Sequence, residues 1–333
     1  MINIALFGAG NIGTVHARNI SHNPRCQLSY VVDQDIARAK MLSAQFGGQP
    51  ATGIEAALQD TSVDAVIIAS STLVHEKHLL ACISARKAVL CEKPIADSIE
   101  NAKRCVDAAK ASGIISAVGF NRRLDPHHRA VHDRAREGVI GKIELLHLVS
   151  RSQKAPTPEA SYQSGGTIRD KGSHFFDLAC WIADSEPVEA YATGACLIDP
   201  GYSRFGDVDT AVLTLKFDSG ALATFSFSRR TNYGYDELIE AFGSEGMLES
   251  RRQPELGVSL YKGRNVIEGG LHQGWYERFE GTYRDEIDAF VSALEGKAPV
   301  HATLADGLRA QAIAEAMIEA SERKAAVPIQ RIW

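Results

Sequence analysis

The sequence is poor in cysteine, and its six cysteines are far apart along 333 residues. They include no C-x-x-C pair and no dense cluster, which excludes a disulfide-stapled scaffold and favours reduced, mostly buried thiols. No apolar run approaches the roughly 18 residues of a membrane-spanning helix, so we expect no membrane segment. The residues after Met1 show none of the features of a secretion signal, so we expect a cytoplasmic protein.

Positive charge is not in excess either, since 36 Lys and Arg stand against 41 Asp and Glu and the formal net charge is −5. The basic residues are scattered, and we therefore expect no nucleic-acid partner. Hydrophobic residues make up 45% of the chain and charged residues 23%, which is typical of a folded globular protein. At roughly 150 residues per domain, this length predicts two domains that each bury a core.

The first 120 residues alternate short apolar runs with longer amphipathic stretches, a pattern typical of βαβ units. The predicted strands are residues 2–7, 28–32, 65–69, 88–91 and 115–118. The predicted helices are residues 12–21, 36–46, 72–85 and 98–112, and Gly113 is expected to end the last of them. We therefore predict an α/β chain in which residues 1–120 form a Rossmann domain, a doubly wound parallel sheet.

After residue 120 the pattern changes, because consecutive strands are now joined by short turns. The predicted strands are residues 143–150, 189–197, 210–217 and 221–228, and the predicted helices are residues 126–137, 173–183, 283–294 and 304–323. Asp218-Ser219-Gly220 is a hairpin signal between two of these strands. We predict that residues 121–333 form an α+β domain built on a largely antiparallel open sheet.

A glycine-rich segment, Gly8-Ala9-Gly10-Asn11-Ile12-Gly13, follows the first predicted strand and begins the first predicted helix. There the glycines allow a tight turn and a close approach of backbone to a pyrophosphate. Asp33 stands 20 residues after Gly13, where a carboxylate can accept hydrogen bonds from both hydroxyls of an adenine ribose. It would repel a 2′-phosphate, so we predict NAD rather than NADP, although Arg38 could soften the repulsion. A tight turn without ligand is the alternative.

Other residues stand at the carboxyl ends of the predicted strands, the edge where ligands bind in open α/β sheets. The predicted cofactor-binding residues are Gly8, Gly10, Asn11, Ile12, Gly13, Asp33, Gln34, Ser70, Ser71, Thr72, His75, Glu92 and Lys93. Lys93, just after the strand at 88–91, could also donate a hydrogen bond to a substrate oxygen. A surface lysine before a turn proline is the alternative.

An acid and an imidazole, Asp170 and His174, are four residues apart and share one face if their segment is helical. The pair suits acid–base chemistry, because a carboxylate stabilises the imidazolium that forms when histidine accepts a proton. A half-buried histidine held by an aspartate, or a pair of metal ligands, is the alternative. No third ligand stands at a convincing spacing, so we expect no metal site.

Together these motifs carry a resemblance that covers nearly the whole chain. In order they are the glycine-rich segment at 8–13, Glu92-Lys93-Pro94, the segment 119–125 (GFNRRLD), Gly165-Gly166 ahead of Asp170 and His174, and the segments 228–244 and 277–290. This series is similar to the glucose–fructose oxidoreductase/inositol dehydrogenase (Gfo/Idh/MocA) family, and the last two segments are most similar to its inositol dehydrogenase branch.

The resemblance implies that Lys93, Asp170 and His174 are catalytic. His174 would accept a hydroxyl proton, Asp170 would support it, and Lys93 would bind the reacting oxygen. The implied activity is NAD-dependent oxidation of a secondary hydroxyl of a cyclic polyol, with myo-inositol as the first candidate. The resemblance also implies a homotetramer whose open sheet forms the floor of the active site.

Six residues are predicted to face the polyol: Asn121, Arg122, Gln153, Lys171, Tyr233 and Tyr235. Three of them, Asn121, Gln153 and Lys171, depart from the inositol dehydrogenase pattern, as does the Phe175-Phe176 pair after His174. Another inositol isomer or a sugar therefore stays open as the substrate. Two further alternatives are an enzyme that retains its cofactor and turns over through a second substrate, and a dinucleotide-binding sensor without catalysis.

Overall fold

The computed structural model describes all 333 residues, and the chain divides into two compact units. The first unit comprises Met1–Leu124, Gly281–Arg309 and Ile332–Trp333, and the second comprises Asp125–Glu280 and Ala310–Arg331. The division of the chain at residue 120 stays a prediction. None of the helices combines the length and apolar character needed to cross a bilayer.

The first unit is built on a six-stranded sheet in which every pair of neighbouring strands is parallel. Its strands are β1 (Ile2–Phe7), β2 (Cys26–Val32), β3 (Gln49–Ala51), β4 (Ala65–Ile68), β5 (Ala88–Cys91) and β6 (Ser116–Val118), in the spatial order β3-β2-β1-β4-β5-β6. All four residues of β4 are buried, as expected for a central strand covered on both faces. The predicted doubly wound Rossmann sheet is confirmed.

Helices connect these strands and supply much of the apolar core. They are α1 (Asn11–His22), α2 (Ile36–Phe46), α3 (Glu55–Gln59), α4 (His75–Ser84) and α5 (Ile99–Ser112). Side-chain caps begin two of them: Asp35 accepts the Ala37 N–H and Ser98 accepts the Asn101 N–H. Gly113 ends α5 in the left-handed region at φ 66°, as predicted.

The second unit contains a seven-stranded sheet that is mostly antiparallel, as predicted. Its strands are β7 (Ile143–Arg151), β8 (Pro187–Ala195), β9 (Thr210–Phe217), β10 (Leu222–Ser228), β11 (Asp236–Gly243), β12 (Gly246–Glu249) and β15 (Val327–Pro328), in the order β12-β11-β7-β10-β9-β8-β15. Only β7 and β10 pair in parallel. A separate hairpin consists of β13 (Ser259–Lys262) and β14 (Asn265–Glu268).

One face of this sheet is covered and the other is open. Its strand β9 alternates buried and exposed residues along its whole length. The remaining helices are α6 (Pro126–Arg136), α7 (Pro158–Gln163), α8 (Gly166–Ala183), α9 (Trp275–Leu294) and α10 (Leu304–Arg323). On the covered face, Phe176 of α8 packs edge-on against Phe225 of β10 with ring centroids 5.1 Å apart.

Two helices are longer than predicted. The helix expected from residue 173 begins at Gly166, because Asp207, remote in sequence, accepts the Thr167 N–H at 2.8 Å and so caps α8. The helix expected from residue 283 begins at Trp275. Strand β11 was not predicted, because its first four residues are all buried and show no alternation.

Candidate active site

The glycine-rich turn between β1 and α1 leaves backbone groups facing open space. Gly8 has φ 106°, and a Cβ there would stand 2.5 Å from the Ala69 carbonyl oxygen, so only glycine fits. A Cβ on Gly13 would overlap the Gly8 carbonyl. At Gly10, by contrast, a Cβ position has no atom within 4 Å, and no side chain caps the start of α1. The turn thus fits an anionic pyrophosphate, whose charge the uncapped N–H groups would stabilise.

Asp33 lies directly after β2 and is held against this turn. Its Oδ2 accepts the Ala9 N–H at 2.8 Å and its Oδ1 accepts the Asp35 N–H at 2.9 Å. These two bonds fix the direction of the carboxylate while leaving lone pairs on both oxygens for further donors. Asp33 therefore stands where a diol hydroxyl pair could be recognised beside the phosphate site. The neighbouring Gln34 is exposed.

The loops after β4 and β5 are linked by a buried histidine. Nδ1 of His75 is 2.7 Å from the Pro94 carbonyl oxygen, and Nε2 is 3.0 Å from the Ser70 carbonyl oxygen. Burial lowers the pKa of His75, although the two carbonyl contacts oppose that shift. His75 thus ties the Ser70-Ser71-Thr72 loop to the segment that carries Lys93, and its role toward a cofactor stays a prediction.

Lys93 and Glu92 directly follow β5, at the carboxyl edge of the parallel sheet. The Glu92 Oε1 is 2.8 Å from Nε2 of His16, a fully buried residue of α1. Lys93 is half-buried. A lysine ammonium at this edge can donate a hydrogen bond to an oxygen of a bound molecule.

In the second unit, α8 brings the predicted acid and imidazole together. Asp170 and His174 are four residues apart within this helix and so lie on one face, one turn apart. His174 is 8% exposed. Nη1 of Arg229 is 3.5 Å from Asp170 Oδ2, and Nε of Arg229 donates to Thr167 Oγ1 at 3.1 Å. The guanidinium thus lies beside the Asp170 side chain, and a carboxylate can stabilise an imidazolium.

Arg229 is a site residue that the sequence interpretation missed. It is buried and lies just past the end of β10, in the segment 228–244 that carried part of the family resemblance. Its position after a predicted strand was the available signal. Only the fold shows that this strand end faces the start of α8.

The predicted substrate residues of the second unit fall into two groups. Lys171 is buried, donates to Ser150 Oγ at 3.0 Å, and its Nζ lies 5.8 Å from the centre of the Tyr235 ring. Tyr235 in turn donates its hydroxyl to Glu237 at 2.6 Å. The fold therefore brings Lys171 and Tyr235 together.

Tyr233 belongs to a different cluster, although it is two residues from Tyr235. Its hydroxyl donates at 2.7 Å to Asp236, which is fully buried and also pairs with Arg252 at 2.7 Å and Arg151 at 3.3 Å. Gln153 donates its side-chain amide to Gln273. Tyr233 and Gln153 thus each have a polar partner within the unit.

Asn121 and Arg122 belong to the first unit and follow β6 in a short 3-10 turn, Asn121–Leu124. Asn121 is 1% exposed and donates to Thr282 Oγ1 at 2.8 Å. Arg122 is also buried. Their contact with a substrate stays a prediction.

A phosphate-binding turn with an adjoining carboxylate, and an acid–imidazole pair on a unit with an open sheet, define a dinucleotide-dependent oxidoreductase. Residues 2–120 match the model of an oxidoreductase family with an NAD-binding Rossmann fold, and residues 128–249 match the GFO/IDH/MocA C-terminal domain. The chain belongs to the Gfo/Idh/MocA oxidoreductase family, and its first unit carries the NAD-binding fold.

Relatives with known names extend this comparison over the full chain. The chain is 35% identical to inositol 2-dehydrogenase of Rhizobium meliloti, with 98% of this chain and 99% of the relative covered. It is 32% identical to myo-inositol 2-dehydrogenase of Thermotoga maritima, with 99% of each covered. Among solved structures, it is similar to scyllo-inositol dehydrogenase of Lactobacillus casei with bound NAD(H) and scyllo-inositol, at 25% identity and TM-score 0.90, covering 98% of this chain and 99% of that one.

Proposed function

We propose that the chain oxidises a secondary hydroxyl of a cyclic polyol with NAD, and that myo-inositol, converted to its 2-keto product, is the preferred substrate. The observation that carries this proposal is the Asp170–His174 pair on α8, one turn apart beside Arg229, in a chain whose full-length relatives include named inositol 2-dehydrogenases. The acid–imidazole pair matches an alcohol oxidation, which must remove a proton from oxygen as hydride leaves carbon.

In this proposal three side chains carry the chemistry. The His174 imidazole accepts the hydroxyl proton, and the Asp170 carboxylate stabilises the imidazolium that results. The Lys93 ammonium donates a hydrogen bond to the reacting oxygen as it becomes a carbonyl oxygen. When bound, NAD supplies the acceptor for the hydride that leaves the same carbon.

The first unit would hold this cofactor through the groups described above. The uncapped N–H groups at the start of α1 would bind the pyrophosphate, and Asp33 would accept hydrogen bonds from the adenine ribose hydroxyls. Because its two backbone bonds hold the carboxylate in place, a 2′-phosphate would meet a fixed negative charge. This supports NAD over NADP.

The open sheet face supports a homotetramer, which we also propose. Exposed apolar side chains form a row across four adjacent strands, β12, β11, β7 and β10: Met247 and Phe242 are paired, as are Phe242 and Leu145, and Leu145 and Leu222. Such a contiguous apolar patch is typical of a subunit interface. Light scattering after gel filtration would measure the oligomeric state. We also propose that the enzyme is cytoplasmic.

The test of the proposed activity follows reduction of NAD and, separately, NADP by absorbance. The panel contains myo-inositol, scyllo-inositol, other inositol isomers, glucose and xylose. We expect the highest kcat/KM with myo-inositol and NAD. Failure of every polyol to reduce a cofactor that demonstrably binds would overturn the proposal and favour a sensor or a retained-cofactor enzyme.

A second candidate is oxidation of scyllo-inositol. It is favoured by the similarity to scyllo-inositol dehydrogenase of Lactobacillus casei and by the departure of the buried Lys171 from the inositol dehydrogenase pattern, since a changed polar group changes which hydroxyl geometry is accepted. Higher kcat/KM with scyllo-inositol than with myo-inositol in the same panel would select this candidate.

A further inference from the structure

A cluster of titratable side chains in the first unit contains Glu92, the residue before Lys93, and two fully buried residues that have no part in the activity proposed above. His16 of α1, Glu92 after β5 and Glu286 of α9 have ligand atoms that all lie within 4.8 Å of one another. His16 and Glu286 are fully buried, and neither oxygen of Glu286 has a hydrogen-bond partner within the chain. His301 approaches Glu286 from the other side, with Nε2 3.4 Å from Oε1.

The carboxyl group of Glu92 has close neighbours on α1 and just after β6. On one side His16 Nε2 is 2.8 Å from Glu92 Oε1. On another side Gly119 leaves room for it, since a Cβ at that glycine would stand 2.9 Å from Glu92 Oε2. The Gly119 N–H also donates to the carbonyl of Cys91, the last residue of β5. Three elements, α1, the end of β6 and α9, therefore enclose the residue that precedes Lys93.

We propose that His16 and Glu286 are positioning residues that hold Glu92, and through the adjoining peptide Lys93, at the carboxyl end of β5. This inference rests on the proposed role of Lys93. The hydrogen bond from His16 and the close packing of Gly119 and Glu286 restrict the rotamers of Glu92, and with them the backbone that leads to Lys93. A lysine that must meet a substrate oxygen gains from such support, since displacement by about 1 Å can cost roughly a hundredfold in rate.

The pKa shifts within the cluster follow from burial and from the charge of Glu92. Burial and then the negative charge of Glu92 raise the pKa of Glu286 well above its usual value, a shift that favours the protonated carboxyl. Burial alone would lower the pKa of His16, but the hydrogen bond and charge of Glu92 outweigh it and raise that pKa. The hydrogen bond between His16 and Glu92, together with the raised pKa of Glu286, limits the net charge that the cluster buries.

A metal ion is the competing occupant, because histidine and carboxylates are also zinc ligands. The 2.8 Å between His16 Nε2 and Glu92 Oε1 is a hydrogen-bond distance. Two ligands of a tetrahedral zinc ion would stand about 3.3 Å apart for bonds of roughly 2.0 Å. The observed spacing favours a proton between these atoms.

The first experiment compares Glu286→Ala, Glu286→Gln and a control, Asp285→Ala, on the neighbouring, more exposed position of α9. We expect Glu286→Ala to lower kcat at least tenfold with the KM for NAD changed less than twofold. Glu286→Gln should recover most of that loss, because glutamine has the shape of the protonated acid. Asp285→Ala should behave as the wild type. Equal kcat in Glu286→Ala and the wild type would overturn the proposal, even if the melting temperature falls.

The second experiment needs no turnover and therefore separates this inference from the proposed function. Reductive methylation followed by mass spectrometry measures how fast Lys93 is labelled, with the exposed Lys110 as the internal reference. We expect the Lys93 rate, relative to Lys110, to change at least threefold in Glu286→Ala and not in Asp285→Ala. An unchanged rate would overturn the positioning role.

Two further measurements test whether Glu286 carries a proton and whether the cluster binds a metal ion. The infrared spectrum of the wild type at neutral pH should contain a protonated-carboxyl band that is absent in Glu286→Gln. Elemental analysis of the purified protein should find no stoichiometric metal. A finding of one zinc ion per chain that is lost in Glu286→Ala would mean that the cluster binds a metal ion. It would overturn the proposal.

Discussion

The two units hold their functional carboxylates in different ways. Asp33 in the first unit is held by two backbone N–H groups, one from Ala9 in the glycine turn and one from Asp35. Asp170 in the second unit is approached instead by the guanidinium of Arg229, 59 positions away along the chain. The first arrangement belongs to a local turn and its neighbouring strand, whereas the second exists only when a sheet brings a strand end to a helix.

The two arrangements suit recognition of different ligands. Backbone donors at a strand–helix turn suit a ligand with a constant anionic part, such as a dinucleotide. Side chains that distant elements bring together, such as Lys171 and Tyr235, can change separately and so suit a ligand whose hydroxyl pattern must be distinguished. We therefore expect substitutions at Asp33 to change the choice of cofactor, and those at His174 and Arg229 to change turnover.

The largest effect is expected at the proposed base. His174→Asn removes the proton acceptor while keeping a side chain of similar polarity. It should lower kcat by about 10² to 10⁴-fold, the usual contribution of general acid–base catalysis, without changing NAD affinity. Steady-state kinetics with a fluorescence titration of NAD measure both quantities. A comparable loss of NAD affinity would contradict the separation of roles between the units.

The complementary change in the first unit is Asp33→Asn. It removes the negative charge and keeps a side-chain oxygen for one of the two backbone N–H groups that Asp33 accepts, and circular dichroism checks that the fold persists. Loss of charged hydrogen bonds to a ribose, each about 1.5–3 kcal/mol, should reduce the preference for NAD over NADP at least tenfold. The ratio of kcat/KM for the two cofactors measures this. If only kcat falls and the ratio of kcat/KM values for NAD and NADP stays constant, Asp33 does not recognise the ribose.

A stability prediction concerns a buried charge cluster of the second unit. Asp125 caps α6 and its Oδ2 is 2.6 Å from Nη1 of Arg278. Burial alone would raise the pKa of Asp125, but the charge of His128 and the bond to Arg278 outweigh it and hold that pKa at about 2. Relative to the ordinary aspartate pKa of 3.8, this is about 2.5 kcal/mol of stability, by roughly 1.4 kcal/mol per unit of pKa.

The sign of its pH dependence follows from the lowered pKa. The stabilisation is complete above the unfolded pKa, near pH 4, and is lost as the pH falls toward about 2. Asp125→Asn should therefore lower the free energy of unfolding by about 2.5 kcal/mol at pH 7 and by much less at pH 2.5. Denaturant unfolding at the two pH values measures it, and an equal loss at both would show that the carboxylate charge is not the cause.

The smallest expected effect is at Arg229, which the proposal places beside the acid rather than on the substrate. Arg229→Met keeps a side chain that fills much of the same space and removes the cation. We expect about a tenfold loss in kcat, consistent with one lost ionic hydrogen bond of roughly 1.5 kcal/mol, and no change in the choice of cofactor. A shift in the NAD to NADP ratio would contradict the comparison between the units.

Local sequence patterns were enough to predict most of the nucleotide-binding unit, although not β3 or α3. The strand at 2–7, the glycine turn and Asp33 were all predicted, because hydrophobic periodicity and glycine geometry act within a few residues. The acid–imidazole spacing at 170 and 174 was also evident, since a helix repeats every 3.6 residues. These features depend on neighbours along the chain, and the chain alone specifies them.

The contacts between segments that are distant along the chain could not be predicted from the sequence and are seen only in the folded structure. Asp207 caps α8 from about 40 positions away, Arg229 reaches Asp170, and Glu286 reaches Glu92 from α9. No local period encodes such pairs, because they form only when β10 pairs with β7 and when residues 281–309 pack within the first unit. The physical reason is chain closure: propensity acts within a few residues, whereas burial and charge pairing act between residues that folding brings together.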